Sequence, residues 1–145
     1  MGQKIQMNNS KALLSAAVWT LFGLGTVQAQ VIVANQSVKI AELSKSDIRD
    51  IFTGASSTFK DGSPAVPVTL RSGPVQDSFL KSYVGKGDAA FRATWRTLVF
   101  AGQGMMPKSF DTESALLDYV ASVPGAIGYI GASTEHGKVK SLTVR

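Results

Sequence analysis

LRSGPVQDSFLKSYVG, Leu70 to Gly85, is the stretch on which the reading of the fold turns. It is entered from AVPVTL, Ala65–Leu70, a short apolar run of strand length. Pro67 within that run predicts an edge position or an irregular start. The run stops at Arg71, and Ser72-Gly73-Pro74 breaks the pattern. Beyond it Val75, Phe79, Leu80 and Tyr83 recur at the spacing of an amphipathic helix that ends at Gly85. Pro74 suits the first helical turn, where a missing N–H costs nothing. The stretch therefore reads as strand, tight turn, helix. A helix start offers unsatisfied N–H groups and the positive end of the dipole. Gly73 allows close approach to the backbone, Ser72 adds a hydroxyl, and Arg71 can grip two oxygens of an oxyanion. The local residues fit two uses: a seat for an anion, or a plain helix cap with Arg71 solvated or paired to an acid.

Outward from this turn the same alternation continues. VIVAN, Val31–Asn35, is a β-branched run that reads as a strand. In LSKSDIRDIFTG, Ser44 and Asp47 have the spacing of a capping box, Ile48, Ile51 and Phe52 share a face, and Gly54 is a stop. ASSTFKDGSP is a polar loop whose Ser56, Ser57 and Thr58 are candidate hydroxyl donors to an anion. A third helix runs from Asp88, its expected cap, with Phe91, Trp95 and Leu98 inward and Gly102 closing it. QGMMPKSF reads as a loop, with Gln103 and Lys108 as possible rim contacts and Met105 and Met106 as gap-fillers or a sticky lip. A fourth helix is expected after Asp111 as cap, with Leu116, Tyr119, Val120 and Val123 inward. AIGYIG and SLTV are the last two strands. Phe79, Phe91, Trp95, Phe100 and Tyr119 are assigned to the core. Alternating strands and about four helices predict an α/β fold with a mixed sheet.

The N-terminus has a different character. MGQKIQMNNSK carries Lys4 and Lys11, ALLSAAVWTLFGLGTV is uncharged, and Val27 and Ala29 give a small-x-small end. That pattern predicts a signal peptide over residues 1–29, cleaved after Ala29, with an uncleaved anchor as the rival. Residues 30–145 then form one domain. The apolar run is shorter than the ~20 residues that span a bilayer, and no later segment reaches that length.

The chain holds 15 basic and ten acidic residues, with one His and no Cys. The basic excess is mild and scattered, unlike a nucleic-acid footprint. One His and no Cys leave no Cys nucleophile and little for a metal, and the sequence calls for no cofactor. His136 sits in a polar turn, TEHGK, without a partner nearby in sequence. No G-x-S-x-G, Walker or H-E-x-x-H motif is present. No catalytic residue is assigned, and an enzyme is the least supported class.

Taken in order, LSKSDIRDIFTG, VPVTLRSGPVQDSFLKSYVG, FRATWRTLVFAGQGMMPKSF and VPGAIGYIG resemble the phosphate-binding, substrate-binding proteins of bacterial ABC transporters. The resemblance runs from about Val31 to Gly131. It implies a type II periplasmic binding fold, here as a single-lobe short form, and a periplasmic location. It also implies an oxyanion such as phosphate held at Arg71, Ser72 and Gly73, where the family has an Arg and a Ser-Gly-Thr turn. Pro74 stands in place of that Thr. The family closes two lobes on its ligand, and the length here suits one. The implied function is therefore a binding module of ABC-type phosphate uptake, completed by a second copy, another protein or the transporter. The alternative is an accessory module that has lost ligand capture and docks on an envelope partner through its helix faces and the Met105–Met106 lip.

Overall fold

AIGYIG becomes a strand buried along its whole length, and the rest of the chain is arranged around it. The computed structural model describes residue 2 and residues 29–145; the expected signal peptide falls almost wholly outside that range. In chain order the elements are β1 (Gln30–Ala34), β2 (Glu42–Leu43), α1 (Lys45–Thr53), β3 (Val66–Leu70), α2 (Pro74–Phe79), α3 (Asp88–Phe100), β4 (Lys108–Phe110), α4 (Glu113–Ser122), β5 (Ala126–Gly131) and β6 (Lys140–Val144). A π-helical turn, Leu80–Val84, extends α2 to a left-handed Gly85. The six strands form one mixed sheet in the order β2-β6-β1-β5-β3-β4. β5 pairs antiparallel with β1 and parallel with β3, and β3 pairs parallel with β4.

Successive β5 side chains point to opposite faces, which sets the layers. On one face Tyr129 stacks on Phe79 of α2, with ring centroids 3.7 Å apart and planes 6° from parallel. Phe52 of α1 meets Phe79 edge-on at 4.8 Å. On the other face a Cβ at Gly128 would lie 2.9 Å from Leu116 and 3.1 Å from Val68, so the missing side chain lets α4 seat on the sheet. α3 is tied in through Trp95, whose buried indole N–H donates to the Phe52 carbonyl at 2.9 Å.

The expected strand and helix starts hold with some exceptions. The Ser44 hydroxyl accepts from Asp47 N–H at 3.1 Å, and the Asp47 carboxylate accepts from Ser44 N–H at 2.8 Å, closing the capping box. Gly54 ends α1 with φ +79°, which demands glycine, and a Cβ there would also have to displace the Leu98 methyl 2.5 Å away. Pro67 lies in the part of β3 bonded to β5 alone, since pairing with β4 begins at Val68. That is the irregular start expected of a strand proline.

Four expectations are corrected. Gly87, not Asp88, is the N-cap of α3, and Asp88 in the first turn binds Arg92 one turn on. Thr112, not Asp111, caps α4 by accepting from Ala115 N–H at 3.1 Å. The segment read wholly as loop contains β4, a three-residue strand too short to show a period. Phe100 is 91 % exposed, not core. It lies nine residues beyond Phe91, about two and a half helical turns, and so on the opposite face.

Partial burial pushes the Asp47 carboxyl up, but hydrogen bonds from Lys60 and Ser44 outweigh it and draw the pKa from 3.8 to about 2. A carboxyl lowered on folding stabilises the fold above its unfolded pKa, and that contribution fades as pH falls from about 4 towards 2. Urea unfolding should show Ser44→Ala less stable by about 1 kcal/mol at neutral pH. Asp47→Asn should also be destabilising at neutral pH, with its cost shrinking as pH falls through the same window.

Candidate functional site

Because β3, β4 and β5 run parallel, their carboxyl ends come out at one edge of the sheet. That edge is where open α/β sheets present ligand sites. Arg71, Ser72 and Gly73 sit there, between the end of β3 and α2. The turn is fixed from below. Leu70 N–H donates to the buried Tyr129 hydroxyl at 3.0 Å, and Arg71 N–H donates to the Phe110 carbonyl at 2.8 Å. Arg92 on α3 donates through Nη2 to the Arg71 carbonyl and through Nε to Asp88, both at 2.8 Å. Burial pushes the Tyr129 hydroxyl far above the usual tyrosine range, although the Leu70 N–H pulls the other way. It therefore stays a neutral phenol at any ordinary pH.

Gly73 holds φ +107° and ψ 175°, a conformation essentially confined to glycine. A Cβ placed there would meet nothing within 4 Å, so the space above the turn is open. Ser72 is exposed, and among the described residues neither Ser72 N–H nor Gly73 N–H is hydrogen-bonded within the backbone. Pro74 at the first helical position removes one further donor. Asp77 N–H returns to the Gly73 carbonyl at 3.0 Å. Beneath the turn Gln76 is buried, and its side-chain oxygen accepts no hydrogen bond among the described residues.

Arg71 is not solitary. Its Nη1 lies 2.8 Å from Asp111 Oδ1, with both side chains largely in solvent. Two Arg–Asp pairs, Arg71–Asp111 and Arg92–Asp88, thus border the turn, so any anion there would have to compete with Asp111 for Arg71. Sequence reading placed Asp88 and Asp111 as helix caps and passed over Arg92 and Tyr129. The i,i+4 spacing of Asp88 and Arg92 was the one visible signal, and nothing local marks the Tyr129 contact across 59 residues.

Ser56, Ser57 and Thr58 are not brought to this turn. The Ser57 carbonyl accepts from Ala65 N–H, just before β3, whereas Arg71 follows β3. Six strand residues at about 3.3 Å each put the groups roughly 20 Å apart. The Ser56 hydroxyl is occupied locally, donating to the Thr58 carbonyl at 2.9 Å. Ser56 and Ser57 instead line a cleft of about 370 Å³ with Gln103, Met105, Met106 and Lys108. The expected rim residues therefore gather at the opposite end of β3 from Arg71.

No family model matches the sequence. The fold is nonetheless that of one lobe of phosphate ABC transporter substrate-binding proteins. A Clostridium perfringens protein described as such a substrate-binding protein, solved with bound phosphate, aligns over 79 % of this chain and 44 % of its own, with a TM-score of 0.61 and 21 % identity. PstS from Borrelia burgdorferi aligns over 81 % of this chain and 47 % of its own, with a TM-score of 0.60 and 15 % identity. An ABC-type phosphate transport receptor from Vibrio cholerae aligns over 79 % and 45 %, with a TM-score of 0.52 and 15 % identity. The chain spans less than half the length of each.

Tyr129→Phe tests the underpinning of the turn. Phenylalanine keeps the stack on Phe79 but leaves Leu70 N–H without its acceptor, so denaturant titration should show a loss of about 1–3 kcal/mol.

Proposed function

We propose that the chain is a non-enzymatic oxyanion-binding module, exported to the periplasm by the N-terminal signal segment and serving ABC-type phosphate uptake. The anion sits at the turn of Arg71, Ser72 and Gly73. The observation that carries this reading is the turn itself: an open glycine-only backbone, free N–H groups, a hydroxyl and a guanidinium at the carboxyl edge of parallel strands. The resemblance of the fold to proteins named for phosphate supports the choice of anion. Ser56, Ser57 and Thr58, at the other end of β3, are not part of this proposed seat. One lobe covers one side of an anion and leaves the other to water. A second copy of the chain, another protein or the transporter then supplies the missing side.

An affinity near 1 mM corresponds to about −4 kcal/mol, in keeping with a few exposed donors. At about 10 mM phosphate such binding stabilises the fold by about 1.4 kcal/mol, a rise of several degrees in Tm. Thermal unfolding of the purified protein, titrated with phosphate, sulfate and chloride at constant ionic strength, should show a saturable rise with phosphate that Arg71→Ala abolishes. A flat response in folded protein would remove the reading and leave docking on an envelope partner as the function.

Asp111 gives a second test. Removing its charge frees Arg71 from an exposed pair, so Asp111→Asn should tighten phosphate binding about two- to fivefold in the same titration.

A further inference from the structure

The large hydrophobic side chains exposed among the described residues all fall between Val99 and Met106, where α3 ends and the chain turns towards β4. Phe100 is 91 % and Met105 87 % exposed, so both project from the surface. Four large apolar side chains left in solvent within eight residues of chain point to an interaction site. Its electrical setting narrows the partner. From Ala89 to Phe110 the sequence contains Arg92, Arg96 and Lys108 and no acidic residue. Arg92 is committed to Asp88, whereas Arg96 and Lys108 form no ion pair among the described residues. Lys108 lies over the Tyr119 ring, 5.0 Å from its centroid. The cleft beside the lip has no carboxylate in its lining.

We propose that this lip docks on an anionic phospholipid bilayer. Phe100 and Met105 enter the boundary between headgroups and acyl chains, while Arg96 and Lys108 face lipid phosphates. Projecting apolar side chains beside unpaired cations are the chemistry of interfacial attachment, which combines apolar burial with attraction to anionic lipid. No helix among the described residues is long and apolar enough to cross a membrane, and the contact proposed is interfacial. The lip is at the opposite end of β3 from Arg71, and the proposal is independent of the anion seat.

The test is vesicle co-sedimentation, using the full sequence expressed in cells and purified as its processed product, with the N-terminus defined by intact mass. Wild type and variants share that N-terminus, so differences between them report on the lip. Wild type should bind phosphatidylglycerol-containing vesicles and bind phosphatidylcholine vesicles far more weakly, with the difference shrinking at high salt. Phe100→Ser with Met105→Ser should weaken binding about tenfold or more. Arg96→Gln with Lys108→Gln should weaken it severalfold and flatten the salt dependence. Urea midpoints close to wild type will establish that the variants fold, as expected for exposed positions; Phe100→Ala alone replaces the double variant if it does not. Equal binding by wild type and lip variants overturns the proposal. So does equal binding to both vesicle types. Failure of wild type to bind either vesicle also overturns it.

Discussion

A buried phenol holds the carboxyl edge of the parallel strands in place. Tyr129 carries its hydroxyl through the layer formed with Phe52 and Phe79 and ends on Leu70 N–H, at the last residue of β3. A hydroxyl in such surroundings must have a partner, and a strand must spend its last N–H somewhere. One bond meets both needs. It also ties the last residue of β3 to the aromatic layer, just before Arg71 leaves the sheet and Gly73 turns the chain into α2. The aromatic layer and the surface turn are parts of one constraint.

The turn is consequently rigid on its inner side and open on its outer side. Arg92 holds the Arg71 carbonyl, Phe110 holds the Arg71 N–H, and Asp111 holds the exposed guanidinium. The backbone contacts are positional. The Asp111 contact is exchangeable, since exposed ion pairs are weak. A guanidinium parked on a neighbouring carboxylate is oriented without being buried, and it can be drawn away by an anion that offers two oxygens. The opposed charges at this edge keep it nearly neutral, so selectivity there would come from geometry more than from a strong positive field.

Much of the architecture was legible because its signals are local. The Ser44–Asp47 box, Gly54, Pro74 and Gly85 each act within one helical turn, and the sequence spacing is the interaction. Three features were hidden for a common reason: their cause is tertiary. β4 owes its strand state to pairing with β3. Asp111 fits a cap by type, yet Thr112 takes that place and Asp111 meets Arg71 across 40 residues. The π turn after Phe79 has no composition of its own and lies where α1 packs. For the site, the turn of Arg71, Ser72 and Gly73 stood out from strand and helix patterns alone. The hydroxyl loop of Ser56, Ser57 and Thr58 has matching chemistry, but chemistry without topology could not show that β3 separates the two. Phe100 lies off the α3 face that carries Phe91 and Trp95, so its aromatic type alone does not put it in the core.

The antiparallel pairing of β1 with β6 matches Ile32 to Leu142 and Ala34 to Lys140. Continued two residues outward, that register sets Gln30 beside Val144, about 5 Å away across the ladder. The first and last strands of the described domain thus finish side by side at the edge that carries Arg71. A short bridge could join them, and the chain could be reopened at an exposed turn such as that around Gly62. The circularly permuted domain would keep every strand neighbour while carrying its ends away from the turn.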